Sequence, residues 1–139
     1  MAFMAGTFLP IQAGLNVKLG KAGGSPVHAS MISFMVGVLA MVLYIIITKQ
    51  SVSWEGFKTA PAHAWIGGIL GAFYVTVIIL SFPHLGPGLT FGLVVAGQMS
   101  ISLLLEHFNI LVANPHPINF LRILGALMVV AGVVIIRKF

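Results

Sequence analysis

Apolar residues run along this chain in long blocks, and polar residues are confined to the gaps between them. Five blocks stand out, at about 1–17, 27–48, 62–82, 86–105 and 118–136. Periodicity cannot separate helix from strand in runs that are apolar on every face, but length can. A bilayer-crossing helix takes roughly 20 residues and a barrel strand about 10. Inside lipid each block must form a helix to satisfy its own backbone. The pattern predicts an all-α integral membrane protein of five transmembrane helices, the first one short, in a single domain over residues 1–139.

The gaps carry matching punctuation. Residues 18–25 read as a flexible basic loop, with Ser25 as N-cap and Pro26 as first residue of the second helix. Residues 49–61 form the longest polar stretch, and Trp54 and Trp65 suit interfacial anchors. Residues 83–87 read as a tight turn holding His84, and 114–117 as a stop and restart holding His116. Pro10 predicts a kink in the first helix.

Composition narrows the function classes. The chain is 59% hydrophobic and 6% charged, whereas a typical soluble domain is about 25% charged. With no cysteine, disulfides, thiolate metal sites and thiol catalysis are excluded. Seven Lys or Arg against two acids give a net charge of +5. These cations are scattered between apolar runs and make no basic face, so the expected surroundings are membrane lipid and not nucleic acid. Two acids leave no paired carboxylates. There is no metal-ligand spacing and no nucleophile beside a base, so neither an enzyme nor a bound cofactor or metal is expected. The amino terminus lacks a basic n-region and apolar segments recur to the last residues, which argues against a cleaved signal peptide.

An odd number of helices places the termini on opposite sides. Lys49, Lys58 and Arg122 then fall on the amino-terminal side, and Lys18, Lys21, Arg137 and Lys138 on the other. The positive-inside rule needs an asymmetry that this division does not supply. Another signal sets orientation, or residues before Met1 are missing from the count, or the chain inserts both ways and pairs antiparallel with itself.

Within the fourth block, Gly88, Gly92, Ala96 and Ser100 recur every four residues and form a small-residue stripe suited to close helix packing. Thr90, Gln98, Ser102 and Glu106 occupy a second register offset by two residues, nearly opposite the first. The third block repeats the stripe with Ala64, Gly68, Ala72 and Thr76, and the second with Ala29, Ser33 and Gly37.

Gln12, Tyr74 and Gln98 each lie about 16 Å along their helices, near mid-membrane, and Asn16 follows Gln12 by one turn. Transporters bind substrate at this depth. The competing reading is a hydrogen-bond clamp between Gln12 and Gln98, worth about 1 kcal/mol. Glu106 stands at the far interface, where it pairs with Arg122 or a lysine, or couples protons. His28, in the first turn of the second helix, is a second candidate for proton coupling, and His107 lies beside Glu106. No acid occupies the middle of a span.

Specific stretches now carry a resemblance. They are residues 9–16 (LPIQAGLN), 33–37 (SFMVG), 67–71 (GGILG), 94–100 (VVAGQMS) and 103–108 (LLLEHF). In this order and spacing the chain resembles, nearly end to end, the single-domain YdcZ-like family of the drug/metabolite transporter superfamily. Its last helix, residues 124–133, is similar to that of the small multidrug resistance proteins, whose Gly-x6-Gly dimer contact maps to Gly125 and Gly132. The resemblance implies a bacterial inner-membrane exporter that is a five-helix half-unit of a ten-helix transporter fold. It implies two antiparallel copies working by alternating access. Gln12 stands where the small multidrug resistance proteins carry an essential Glu, so their cation-for-proton exchange does not carry over.

The sequence thus points to a transporter of a small organic molecule, with Gln12, Asn16, Tyr74 and Gln98 binding substrate. Gly88, Gly92, Ala96, Gly125 and Gly132 are expected at helix or dimer contacts. A non-transporting membrane scaffold or accessory subunit is the alternative.

Overall fold

The computed structural model describes residues 1–114 and 116–139. It is mostly helical, with no strand among the described residues. The helices are α1 (Ala2–Gly23), α2 (Pro26–Thr48), α3 (Trp54–Lys58), α4 (Gly67–His107) and α5 (Phe120–Lys138). A 3₁₀ segment, Ala62–Ile66, leads into α4. Among the described residues three helical segments are long and apolar enough to cross a membrane: α2, 62–107 and α5. The middle one, at 46 residues, is interrupted at Gly86 and holds residues enough for two crossings of roughly 20 each.

α1 corrects the expected basic loop. It runs six residues past Val17 to Gly23, so Lys18 and Lys21 belong to its last turns. Gly24 closes it in the left-handed conformation (φ 70°), and the Gly24 and Ser25 N–H groups both donate to the Gly20 carbonyl. A glycine takes that conformation without a Cβ penalty, so Gly24 and Ser25 suffice to connect α1 to α2. Pro10 lies inside α1, where its ring nitrogen supplies no hydrogen bond to the preceding turn.

α2 begins as its sequence prescribes. Ser25 Oγ accepts from the His28 N–H at 3.3 Å, and Pro26 stands at the first helical position. Ser25→Ala should lower unfolding stability in detergent by about 1 kcal/mol, the usual loss for an N-cap hydroxyl. Thermal unfolding of the two proteins measures it.

The expected tight turn at 83–87 is also corrected. Helical structure runs through it, including His84, and is broken at the one residue Gly86 (φ 75°, ψ 165°). Pro87 disfavours helical angles in the residue before it, and the conformation adopted is essentially open only to glycine. Within the polar stretch 49–61 the structure adds α3, capped by Ser53 Oγ accepting from the Gly56 N–H. The last helix starts two residues later than expected, at Phe120, with Asn119 Oδ1 accepting from the Arg122 N–H at 2.9 Å. The proposed stop at 114–117 includes Pro115, which lies outside the described residues.

The chain resolves into two compact units, residues 1–84 and 85–139, described separately below. Their buried apolar residues include Ala13 and Ala29 in the first and Val133 in the second, while long side chains such as Phe73, Leu39 and Met128 point outward. Small residues at helix contacts and large ones outside suit lipid, where van der Waals packing holds helices together.

Candidate functional site

The first unit is built around α1. Ala13, Asn16 and Gly20 form its buried face. A Cβ on Gly20 would stand 3.5 Å from the Ala29 side chain and 3.6 Å from that of Ile79, so α1, α2 and α4 converge there. Asn16 is only 6% exposed, a costly position for an amide unless something hydrogen-bonds it. Gln12, one turn earlier, is exposed.

On α4, Ile78 and Ile79 are buried. Tyr74, one turn before Ile78, is half-buried. Its hydroxyl is shielded from solvent and has no hydrogen-bond partner among the described residues. The nearby hydroxyls differ. Thr76 Oγ1 lies 2.9 Å from Ser30 Oγ and 2.8 Å from the Ala72 carbonyl oxygen. Ser30 Oγ in turn lies 3.0 Å from the Pro26 carbonyl oxygen. Ser30 and Thr76 thus bridge α2 to α4 and satisfy each other, which leaves Tyr74 as the uncommitted hydroxyl of this region. Ser30 and Thr76 also contribute to an open apolar groove of about 570 Å³, walled by Met31, Phe34, Val38 and Ala72. Sequence reasoning placed Thr76 in a packing stripe and did not single out Ser30. Only their separation in the fold, 46 residues along the chain, reveals the pair.

The second unit contains Gln98, which is exposed on α4. Of the small-residue stripe, Gly92 is the tightest. A Cβ there would come within 3.0 Å of Val133 Cγ2 on α5, and one on Gly88 within 3.5 Å of Ile136 Cγ2. Ala96 accepts a hydrogen bond at its carbonyl from Ser100 Oγ. Gly125 and Gly132, by contrast, have nothing within 4 Å of an added Cβ. Thr90, from the polar register, is buried and bonds the Gly86 carbonyl at 2.7 Å.

Glu106 is joined to Arg122 in an ion pair and hydrogen bond. Arg122 Nη1 also donates to the His116 carbonyl at 2.6 Å, and His107 Nδ1 accepts from the Ile118 N–H at 3.3 Å. These bonds fasten the end of α4 to the segment entering α5. The carboxylate therefore has a fixed cation beside it. His28 is exposed in the first turn of α2. Among the described residues no three His, Cys, Asp or Glu gather into a metal-binding group.

Of the four groups expected to bind substrate, Gln12, Asn16 and Tyr74 lie in the first unit and Gln98 in the second. Their chemistry is neutral: amides and a phenol, each able to donate and accept hydrogen bonds.

Comparison with known proteins adds two similarities. The family described as "Putative inner membrane exporter, YdcZ" matches residues 1–135. The chain is 27% identical over 144 aligned positions to the "Inner membrane protein YdcZ" of Escherichia coli (strain K12), covering 99% of this chain and 94% of that protein. No solved structure matches.

Proposed function

The chain belongs to the YdcZ family, a multi-pass inner-membrane transporter family, and from that membership we propose an exporter of a small neutral, zwitterionic or amphipathic molecule. In this reading two copies assemble antiparallel, each as a half-unit of a ten-helix transporter, and alternate access by rocking one packed bundle against the other. Gln12, Asn16, Tyr74 and Gln98 of both copies line the path. The open faces at Gly125 and Gly132 support a second chain packing there, because small residues let helix backbones approach closely in lipid. Gly88 and Gly92, with Ala96, serve packing inside each copy. Glu106 holds Arg122 and keeps the end of α4 in place, with proton coupling by Glu106 or His28 left as the less favoured role.

The observation that carries the reading is the Tyr74 hydroxyl, shielded and without a partner among the described residues. A buried hydroxyl left unpaired costs about 1–3 kcal/mol, and a substrate that bonds it recovers that energy on binding. Tyr74→Phe is therefore expected to leave stability unchanged or raised while lowering export at least severalfold.

The measurement is a stability screen of the purified protein against neutral and zwitterionic compounds, since a ligand of the folded state raises its apparent stability by mass action. A compound found this way is then followed in proteoliposome efflux, wild type against Tyr74→Phe. Equal efflux by both proteins rejects a role for Tyr74 in substrate binding. A marked loss of stability in Tyr74→Phe means that the hydroxyl supports the fold instead.

A further inference from the structure

The end of α2 borders a second pocket, with none of its lining residues shared with the groove at Ser30 and Thr76. After Thr48 the chain leaves its apolar span, forms α3 and returns through the 3₁₀ segment to α4. Ile45, Val52, Trp54, Phe57, Lys58 and Trp65 border an open surface pocket of about 560 Å³ there. Phe57 stands between the two indoles, its ring centre 6.2 Å from that of Trp54 and 6.4 Å from that of Trp65. The rings are tilted by 53° and 49°, so they form an open wedge and do not stack shut. Among the described residues Lys58 is the one charged residue in the lining. It has no ion-pair partner among the described residues, and Glu55, the acid of the same short helix, is not part of the lining.

We propose that this pocket binds an anionic phospholipid, with an acyl chain between Trp54, Phe57 and Trp65 and the headgroup phosphate on Lys58. The wedge is apolar on its walls and cationic at its rim, which is complementary to an amphiphile with a negative head. It lies where a hydrophobic span meets water, the level at which tryptophans settle and headgroups lie. Lysines near the membrane surface attract anionic lipids through the same electrostatics. A zwitterionic lipid fills the wedge equally well but gains less from the lysine.

The chain contains two tryptophans, and both line this pocket, so tryptophan emission, excited at the red edge where Tyr44 and Tyr74 do not absorb, reports on it. The protein is reconstituted in phosphatidylcholine vesicles doped stepwise with brominated phosphatidylglycerol or with brominated phosphatidylcholine, whose bromines quench nearby indoles. Brominated phosphatidylglycerol is expected to quench at about a fivefold lower mole fraction, the factor contributed by one lysine close to an anionic surface. Raised salt should shrink the preference. Lys58→Gln should bring the two quenching curves together. Lys58→Arg, which keeps the charge, and Lys138→Gln, at the far end of α5, should leave the preference intact. Equal quenching of the wild type by both lipids overturns the proposal, as does a preference that survives Lys58→Gln. Weak quenching by either lipid means that protein, such as a second copy, covers the pocket, and overturns it too.

Discussion

Gln98→Leu is expected to reduce export by at least tenfold while leaving the dimer intact. The amide is exposed on α4 in the single chain, at a position about 16 Å into the fourth span. Leaving an amide in hydrocarbon without a partner costs several kcal/mol, so the assembled protein must offer it water, substrate or a polar group of the second copy. Under the transport reading it faces the path, and leucine removes hydrogen bonds made to the moving substrate. Under the clamp reading it holds helices together, a contribution of about 1 kcal/mol. Cross-linking or native mass spectrometry measures the dimer, and proteoliposome efflux the activity. A dimer that dissociates while efflux per remaining dimer is unchanged establishes the clamp and sinks the binding role.

The second large effect concerns Gly92. Its added Cβ would sit 3.0 Å from Val133 Cγ2 and 3.3 Å from Cγ1, and Val133 is buried. Gly92→Leu must therefore push α5 away from α4. Overpacking of this kind costs about 1–3 kcal/mol, and in lipid no hydrophobic gain offsets the lost contact. Gly88→Ala is the matched contrast. There the nearest atom is at 3.5 Å, an ordinary contact, and alanine is the better helix former by about 1 kcal/mol. Unfolding in detergent should show Gly92→Leu destabilised and Gly88→Ala unchanged or stabilised. Val133→Ala should recover part of the loss in the Gly92→Leu background, because the two side chains compete for one space. If Gly92→Leu unfolds like the wild type, close packing of Gly92 on Val133 does not hold α4 against α5.

These two residues also show where sequence reading stops. The four-residue spacing of Gly88, Gly92, Ala96 and Ser100 marks a face, since residues four apart lie above one another on a helix. It does not say which member touches a neighbour. Gly88, Gly92, Gly125 and Gly132 look alike in the sequence, yet an added Cβ meets α5 at the first two and nothing within 4 Å at the last two. Lys18 and Lys21 looked like loop residues because they end the apolar run, and the structure keeps them helical because Gly24 supplies the terminating conformation seven residues beyond Val17. Residues 83–87 looked like a turn because two prolines flank a glycine, and the backbone needed only Gly86 to break the helix.

Glu106 was legible in part. A lone carboxylate at a span end needs a cation, and Arg122 was among the candidates in reach. Its further bond to the His116 carbonyl and the acceptor role of His107 toward the Ile118 N–H are contacts between separate parts of the chain, which no spacing encodes. The aromatic pocket was half legible. Trp54 and Trp65 announced an interface, but α3 is five residues long, too short to leave a periodic signal, and Phe57 enters the wedge only because that helix forms.

The sequence by itself determined the membrane and the all-α class, because apolar runs of bilayer length must satisfy their backbones within themselves and so become helices; the family was legible only from the resemblance of particular stretches such as 9–16 and 94–100. Tertiary structure decided which small residues are contacts, which hydroxyls find partners and which remain free. Ser30 and Thr76 bond each other across 46 residues, whereas Tyr74, equally polar on paper, is left with a shielded hydroxyl and no partner among the described residues. That distinction rests on distances between separate helices, and a helix's own sequence fixes its faces but not what each face meets.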